Sequence, residues 1–359
     1  MTPPRKRPAK TAYTNPRKTG RLTRADAAAL AQLHPVLGVA PVTLGLTPDA
    51  VRAFDVALAR YLARPDVTGV DVGQKLVDGA VDPKAGIVVR IHVREKRPLT
   101  ALAAGERIPS RLGGIRTDVV ESAYVPQAAI RPEPPALGLA ARARRVEPVQ
   151  PGVSIGHVDV TAGTFGLLVA DRASGDPCLL SAAHVLRAGR RPRPGDAIVQ
   201  PGPADGGGAG DEIAGLLRFN LLLDAAIARL TPARTVADRQ FETGVTLVSA
   251  RGPRFGERLV KSGRGTGVTA AVVSGIGTFG GVYPALHLRA AVPDDTTPIA
   301  ASGDSGAVWY DPATLAAVGL HVRGPTVPSR TTNFAVAAIL PVVLERLDVA
   351  LLVDAVAIG

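Results

Sequence analysis

Gly303-Asp304-Ser305-Gly306-Ala307 decides the reading of this chain. It follows a small polar loop, Ala300-Ala301-Ser302, and runs into the apolar stretch Ala307-Val308-Trp309-Tyr310. A serine between glycines in a tight turn presents its hydroxyl beside free backbone N–H groups, and such amides stabilise an oxyanion as it forms. Two upstream segments supply partners: Leu180-Ser181-Ala182-Ala183-His184-Val185-Leu186 and Asp224-Ala225-Ala226-Ile227-Ala228. A base, an orienting carboxylate and a nucleophile then occur in the order His, Asp, Ser, spaced by 40 and 81 residues. Singly, each is equally well a buried histidine or a turn residue; together they point to nucleophilic catalysis.

That order and those contexts resemble the chymotrypsin-like serine peptidases, whose triad runs His, Asp, Ser along the chain. The resemblance implies His184 as general base and then general acid, Asp224 as the group that fixes its tautomer, and Ser305 as nucleophile. The Gly303 and Ser305 amides would form the oxyanion hole. It spans nearly all of residues 150–353, through Gly152-Val153-Ser154-Ile155-Gly156-His157, Ala162-Gly163-Thr164-Phe165-Gly166, Gly195-Asp196, Gln200 to Gly206 and Val260 to Gly267. The fold it implies is all-β: two six-stranded barrels, the first carrying His and Asp and the second Ser. Residues 25–122 resemble the region preceding the peptidase in a group of trypsin-like proteins from bacteria and plants, the plant narrow-leaf protein among them. Gly69 to Lys75, Ile87 to Lys96, Ile108-Pro109 and Gly114 to Glu121 carry that likeness. One departure is Ala182-Ala183 before His184, where that group more often has asparagines.

Four regions follow. Residues 1–24 are Pro-, Lys- and Arg-rich and read as a disordered basic tail. Residues 25–122 read as a small α+β unit. Ala25 to His34 suggests a short helix, and Thr47 before Pro48 starts a second, with Ala50, Val51, Phe54, Ala57, Leu58 and Tyr61 on one face. Strand patterns follow at Val67 to Val72, Gly86 to Val93 and Gly114 to Glu121. Residues 123–150 have a linker's composition. Residues 151–359 read as the peptidase domain, with short apolar runs between Gly, Pro and Asp turns, Val245 to Ser249 among them, and a closing helix over Ile339 to Leu352.

Bulk properties narrow the class. The 359 residues are 46% hydrophobic but only 4% aromatic, so Val, Leu, Ala and Ile must pack the core. No apolar run approaches the ~18 residues that span a bilayer, and the basic N-terminus has no apolar core of a secretory signal. The single cysteine, Cys178, has no partner for a disulfide, which suits a reducing, cytoplasmic setting and a small buried apolar role. Eight of the eleven net positive charges (+11) lie in the first 25 residues, leaving +3 elsewhere. The tail reads as a solvated arm rather than a nucleic-acid contact, since no stacking aromatics accompany it. No metal-ligand cluster or phosphate loop is visible, and no cofactor is called for: Gly263-Arg264-Gly265-Thr266-Gly267 lacks the Lys-Ser/Thr pair of a P-loop.

The resemblance also locates the substrate pocket. Its floor, six residues before the nucleophile, is Ile299. Ile299 offers no carboxylate, so cleavage after Arg or Lys is excluded. One wall is Gly319-Leu320-His321-Val322-Arg323-Gly324, similar to the strand on which glutamyl endopeptidases and viral 3C proteases place a histidine that donates to a Glu or Gln side chain. Two specificities stay open: Glu or Gln selected by His321, or a small or apolar residue set by Ile299. Arg323 faces the cleft by spacing and is a candidate for an acidic substrate residue. Digestive relatives pair the aspartate at position 304 with a newly cut N-terminus; here Asp304 is expected to find another partner or to wait for a trigger. The leading expectation is an intracellular serine endopeptidase acting on protein or peptide substrates, with homo-oligomerisation as a means of limiting access. The alternative is a scaffold of the same fold whose triad is idle, regulated through residues 25–122. A nucleic-acid-binding role through the tail is the weakest.

Overall fold

In the computed structural model of the protein, residues 46–352 are described except 78–79, 83, 128–139, 190, 293–295, 327–328 and 330. The tail and the helix expected at Ala25 to His34 lie outside the described residues.

Six strands close a barrel in the C-terminal half. Around it run Arg258–Gly263, Val308–Tyr310, Ala316–Gly324, Phe334–Ile339, Val282–Ala290 and Gly267–Phe279, which pairs again with Arg258–Gly263. Their apolar side chains, Leu259, Val273, Leu286, Leu288, Val308, Leu320 and Val336 among them, are buried. A second sheet forms an incompletely closed barrel: Val349–Leu351, Leu167–Asp171, Pro177–Ala182, Ala225–Leu230, Glu212–Asn220, Ala197–Val199, Ser154–His157 and Gly163–Thr164. This is the chymotrypsin-like double barrel, the expected all-β class. The two barrels share one continuous, largely aliphatic hydrophobic core.

The N-terminal unit extends the closed barrel's sheet. Val67–Gln74 pairs antiparallel with the far end of Gly267–Phe279, from Gly69 opposite Phe279 to Gly73 opposite Gly275. Ile87–Val93, Ile115–Glu121 and Arg111–Leu112 follow in order. Helix Pro48–Tyr61 starts as the sequence reads: Thr47 accepts from the Ala50 amide at 3.2 Å, and Pro48 supplies the first turn. Its apolar face covers this sheet extension in a core of its own, which also takes in Tyr283 of the barrel.

Two local expectations differ from the structure. The helix foreseen over Ile339 to Leu352 is only Leu340–Arg346. Asp348 then turns the chain in the left-handed region (φ 49), and Val349–Leu351 pairs with the opposite barrel at Val169–Asp171. Helical spacing of Val343, Leu344 and Leu347 is real, but a strand's partner across space leaves no periodicity in its own sequence. Likewise Val245 to Val248 forms no strand, although the Val248 amide donates to Leu315 O at 3.3 Å, and Ser249–Ala250 bridges to Ala316–Ala317.

Candidate active site

Of the residues singled out from sequence, His184, Asp224 and Arg323 are joined by direct contacts, while no hydrogen bond links His184 Nε2 to Ser305 Oγ among the described residues. His184 sits in the one-turn helix Ala183–Leu186 that ends strand Pro177–Ala182. Asp224 opens strand Ala225–Leu230 in the left-handed region (φ 50), a conformation aspartate tolerates better than most residues. Its Oδ2 accepts from His184 Nδ1 at 2.7 Å and its Oδ1 from the His184 amide at 3.1 Å. Burial pushes the Asp224 carboxyl up, but the facing charges of His184 and Arg323 and their hydrogen bonds outweigh it and hold its pKa at about 2. With Nδ1–H engaged, His184 Nε2 carries the free lone pair; it is buried and has no hydrogen-bond partner among the described residues.

Ser305 lies in the turn Asp304 to Gly306. Gly303 and Gly306 both adopt positive φ (95 and 97), which lets the turn close against the cleft. The open barrel fixes the turn through one residue: the Thr164 amide donates to Ser305 O at 2.8 Å and Thr164 Oγ1 to Gly303 O at 2.8 Å. Arg264 backs it, with its guanidinium on Asp205 and its amide on Thr164 Oγ1.

Asp304 is wholly buried and so is its partner, Lys261, whose Nζ lies 3.1 Å from Oδ2. Thr266 Oγ1 and the amides of Gly265, Thr266 and Ala301 also donate to the carboxylate, at 2.7 to 3.1 Å. Burial pushes Asp304 up, but Lys261 and these donors bring it below the ordinary carboxylate range. Asp304 thus finds an internal partner, the Lys261 ammonium. Sequence reasoning gave Lys261 no part; the available signal was a lysine inside the apolar run Leu259-Val260-Lys261.

Gln127 is the residue the sequence least advertises, since it lies in a stretch with a linker's composition. Its carbonyl oxygen accepts from the Gly303 amide at 2.5 Å and from the Ser305 amide at 3.4 Å. Its own amide donates to Ser305 Oγ at 3.1 Å. Its side-chain Oε1 lies 2.7 Å from His321 Nε2. Trp309 Nε1–H donates to His321 Nδ1 at 3.5 Å, which leaves the ring proton on Nε2 to donate to Gln127. Burial depresses the His321 pKa to about 3, so the ring is neutral at neutral pH. Gly324 faces the same amide: a Cβ there would fall 2.1–2.4 Å from the Gln127 side-chain atoms.

The remaining expected residues are placed as follows. Ile299 is buried in the core; its amide donates to Asn333 Oδ1 and its carbonyl accepts from Thr269 Oγ1. Arg323 is ion-paired with Asp224, a contact its spacing did not suggest. Cys178 is buried and unpaired, and burial raises its thiol to about 11. No cluster of metal-ligating side chains occurs among the described residues, and no helix among them is long and apolar enough to cross a membrane.

No family model matches the chain, and no curated protein does. Among solved structures it is similar to a glutamic acid-specific serine protease described as using a histidine triad in substrate binding. Identity is 21% over 56% of this chain and 100% of that one, with a TM-score of 0.42. Thermobifida fusca protease A (16% identity, 56% and 97% covered, TM-score 0.41) and Cellulomonas bogoriensis chymotrypsin (16%, 57% and 99%, 0.41) are similar at the same level.

Proposed function

We propose that the protein is a serine endopeptidase that cuts after glutamine through an acyl-enzyme on Ser305. One observation carries this reading: two backbone amides converge on a single peptide carbonyl beside the Ser305 hydroxyl, while the side chain of that same residue is hydrogen-bonded by His321. In the reaction Ser305 Oγ attacks the carbonyl carbon and His184 Nε2 takes its proton. Asp224, ionised well below neutral pH, holds the ring and stabilises the imidazolium. Negative charge grows on the carbonyl oxygen, where the Gly303 and Ser305 amides already point. His184 then protonates the leaving amine, and water releases the acyl group by the reverse sequence.

Glutamine is favoured over glutamate by the state of His321. A neutral Nε2–H is a donor for an amide carbonyl. A carboxylate in the same buried place would find the nearby cations spoken for, Lys261 by Asp304 and Arg323 by Asp224, and an unpaired buried charge costs several kcal/mol. Basic residues are disfavoured for the converse reason. An intracellular setting suits the unpaired, buried Cys178.

The test is fluorophosphonate labelling of the purified chain together with quenched peptides differing only in Gln, Glu, Ala or Leu before the scissile bond. Labelling and cleavage that vanish in Ser305→Ala, with Gln preferred over Glu by about tenfold or more, are expected. A preference for Ala or Leu would hand specificity to Ile299. Absence of labelling would favour the idle-triad scaffold instead.

A further inference from the structure

The peptide in the cleft belongs to this chain. Resting on the peptidase reading above, we propose that the protein cuts itself in cis between Gln127 and Ala128 and keeps the N-terminal part as bound product.

A segment that merely blocks a cleft needs only bulk. This one is held at four successive residues in the manner of a substrate. The Tyr124 ring meets Phe279 and Phe334, centroids 5.5 and 5.1 Å away, and its hydroxyl lies 2.7 Å from His92 Nδ1. His92 Nε2 in turn lies 3.1 Å from buried Asp71, so Nε2 carries the proton and Nδ1 accepts from Tyr124. Val125 and Pro126 then run antiparallel to the pocket strand, opposite Gly324 and Arg323. Gln127 ends the run with its carbonyl on both amides and its side chain on His321. The anchors of Tyr124 come from the N-terminal unit (Asp71, His92) and from the closed barrel (Phe279, Phe334), so the seam between the two delivers the segment to Ser305. Holding both reactants in one chain removes the entropy of a bimolecular encounter.

The chemistry balances with one water. Ser305 Oγ bonds to the Gln127 carbonyl carbon, and its proton passes to His184 Nε2. The Gln127–Ala128 C–N bond breaks and that proton goes to the Ala128 nitrogen, leaving an ester between Ser305 and Gln127. Water attacks the ester and gives a proton to His184; the Ser305 oxygen leaves and takes it back. The products are a Gln127 carboxylate and an Ala128 ammonium. Asp304 has no need of that ammonium, because Lys261 is already there. The fragments stay together through the pairing of Gly69–Gly73 with Gly275–Phe279 and through Tyr283 in the N-terminal core.

Intact-mass analysis of the purified full-length chain tests this. Two fragments meeting at Gln127/Ala128 are expected, co-eluting in native gel filtration, formed at a rate independent of protein concentration, absent in Ser305→Ala and slowed about tenfold or more in Gln127→Lys. A chain that labels with fluorophosphonate and cuts glutamine peptides yet stays whole overturns self-cleavage and leaves the peptidase reading standing. So does a cut mapping elsewhere. A Ser305→Ala chain cut by added active enzyme as fast as the native chain cuts itself overturns the cis route. A chain that neither labels nor cuts removes both readings.

Discussion

Replacing Lys261 with methionine tests whether an internal ammonium holds the nucleophile turn in working order. Lys261 Nζ and the Asp304 carboxylate are both inaccessible to solvent and 3.1 Å apart. Removing one partner of such a pair costs about 3–5 kcal/mol, because the other charge stays buried. Here the low end applies, since Asp304 keeps four other donors: Thr266 Oγ1 and the amides of Gly265, Thr266 and Ala301. About 3 kcal/mol is therefore expected in urea unfolding, roughly a hundredfold in the folding constant. Asp304→Asn should cost a similar amount by stranding Lys261, but Lys261→Met with Asp304→Asn removes both charges and should recover most of the loss, a coupling of about 2 kcal/mol or more. The functional readout is the rate at which Ser305 reacts with a fluorophosphonate. Asp304 lies between the Gly303 and Ser305 amides that donate to the Gln127 carbonyl, so Lys261→Met should slow labelling beyond what its unfolded fraction explains, and the double variant should restore it. Single-variant losses that simply add would refute the pairing as the device that sets the turn.

Three further outcomes follow from the same contacts. Gly324→Ala should fold, since its φ is not in the left-handed region, but its Cβ would meet the Gln127 amide at 2.1–2.4 Å; kcat/KM for glutamine peptides should fall about 10- to 100-fold while Ser305 labelling changes little, and equal loss on both would refute the pocket assignment. Stability should fall on mild acidification: the His321 pKa is about 3 in the folded chain and ~6.5 unfolded, so between those values only the unfolded state takes the proton. From pH ~7.5 to ~5.5 that removes about 1.4 kcal/mol, and His92 and His287, whose pKa values burial also lowers, act in the same direction; the carboxylates Asp71, Asp224 and Asp304, depressed when folded, lose their contribution only at lower pH. A urea midpoint that stays flat over this range would contradict the buried neutral ring. The preference for Gln over Glu should be equally strong at pH ~6 and ~8, because neutral His321 does not titrate there; a swing toward Glu in acid would mean that His321 becomes protonated in the enzyme.

How much of this was legible depends on whether the cause was local. Helix Pro48–Tyr61 starts where the sequence places it, and strands Val67–Gln74, Ile87–Val93 and Ile115–Glu121 fall on the expected runs, because a cap followed by proline and an apolar run between turns act over a few neighbouring positions. The strand Val349–Leu351 was read as helix because its partner lies across the cleft. The same limit hid Lys261, whose meaning lies in Asp304, 43 residues away by number. It hid the Arg323–Asp224 pair too, which joins two residues flagged separately. Gln127 was hidden by its setting: Val125-Pro126-Gln127 has the extended bias of an X-Pro pair, but so do most linkers, and only the pocket distinguishes it.

Lys261 and Gln127 together bear on what a cut would accomplish. The Lys261 ammonium is part of strand Arg258–Gly263 and the turn is ordered in the uncut chain. Cutting after Gln127 would therefore change occupancy rather than order. Before the cut, Gln127 presents its carbonyl to the Gly303 and Ser305 amides; afterwards it would present a carboxylate to the same two amides. Charge on that oxygen strengthens its hydrogen bonds, and the Tyr124 and Val125 contacts hold the segment from behind. A substrate must then displace a bound product whose local concentration is set by the chain to which it stays attached. Raising the concentration of a glutamine peptide should consequently produce a lag that shortens as the peptide outcompetes Gln127. Gln127→Lys, which leaves the pocket poorly filled, should abolish the lag while keeping Ser305 fully reactive. A native enzyme with no lag and the same peptide affinity as Gln127→Lys would mean that the segment leaves the cleft freely.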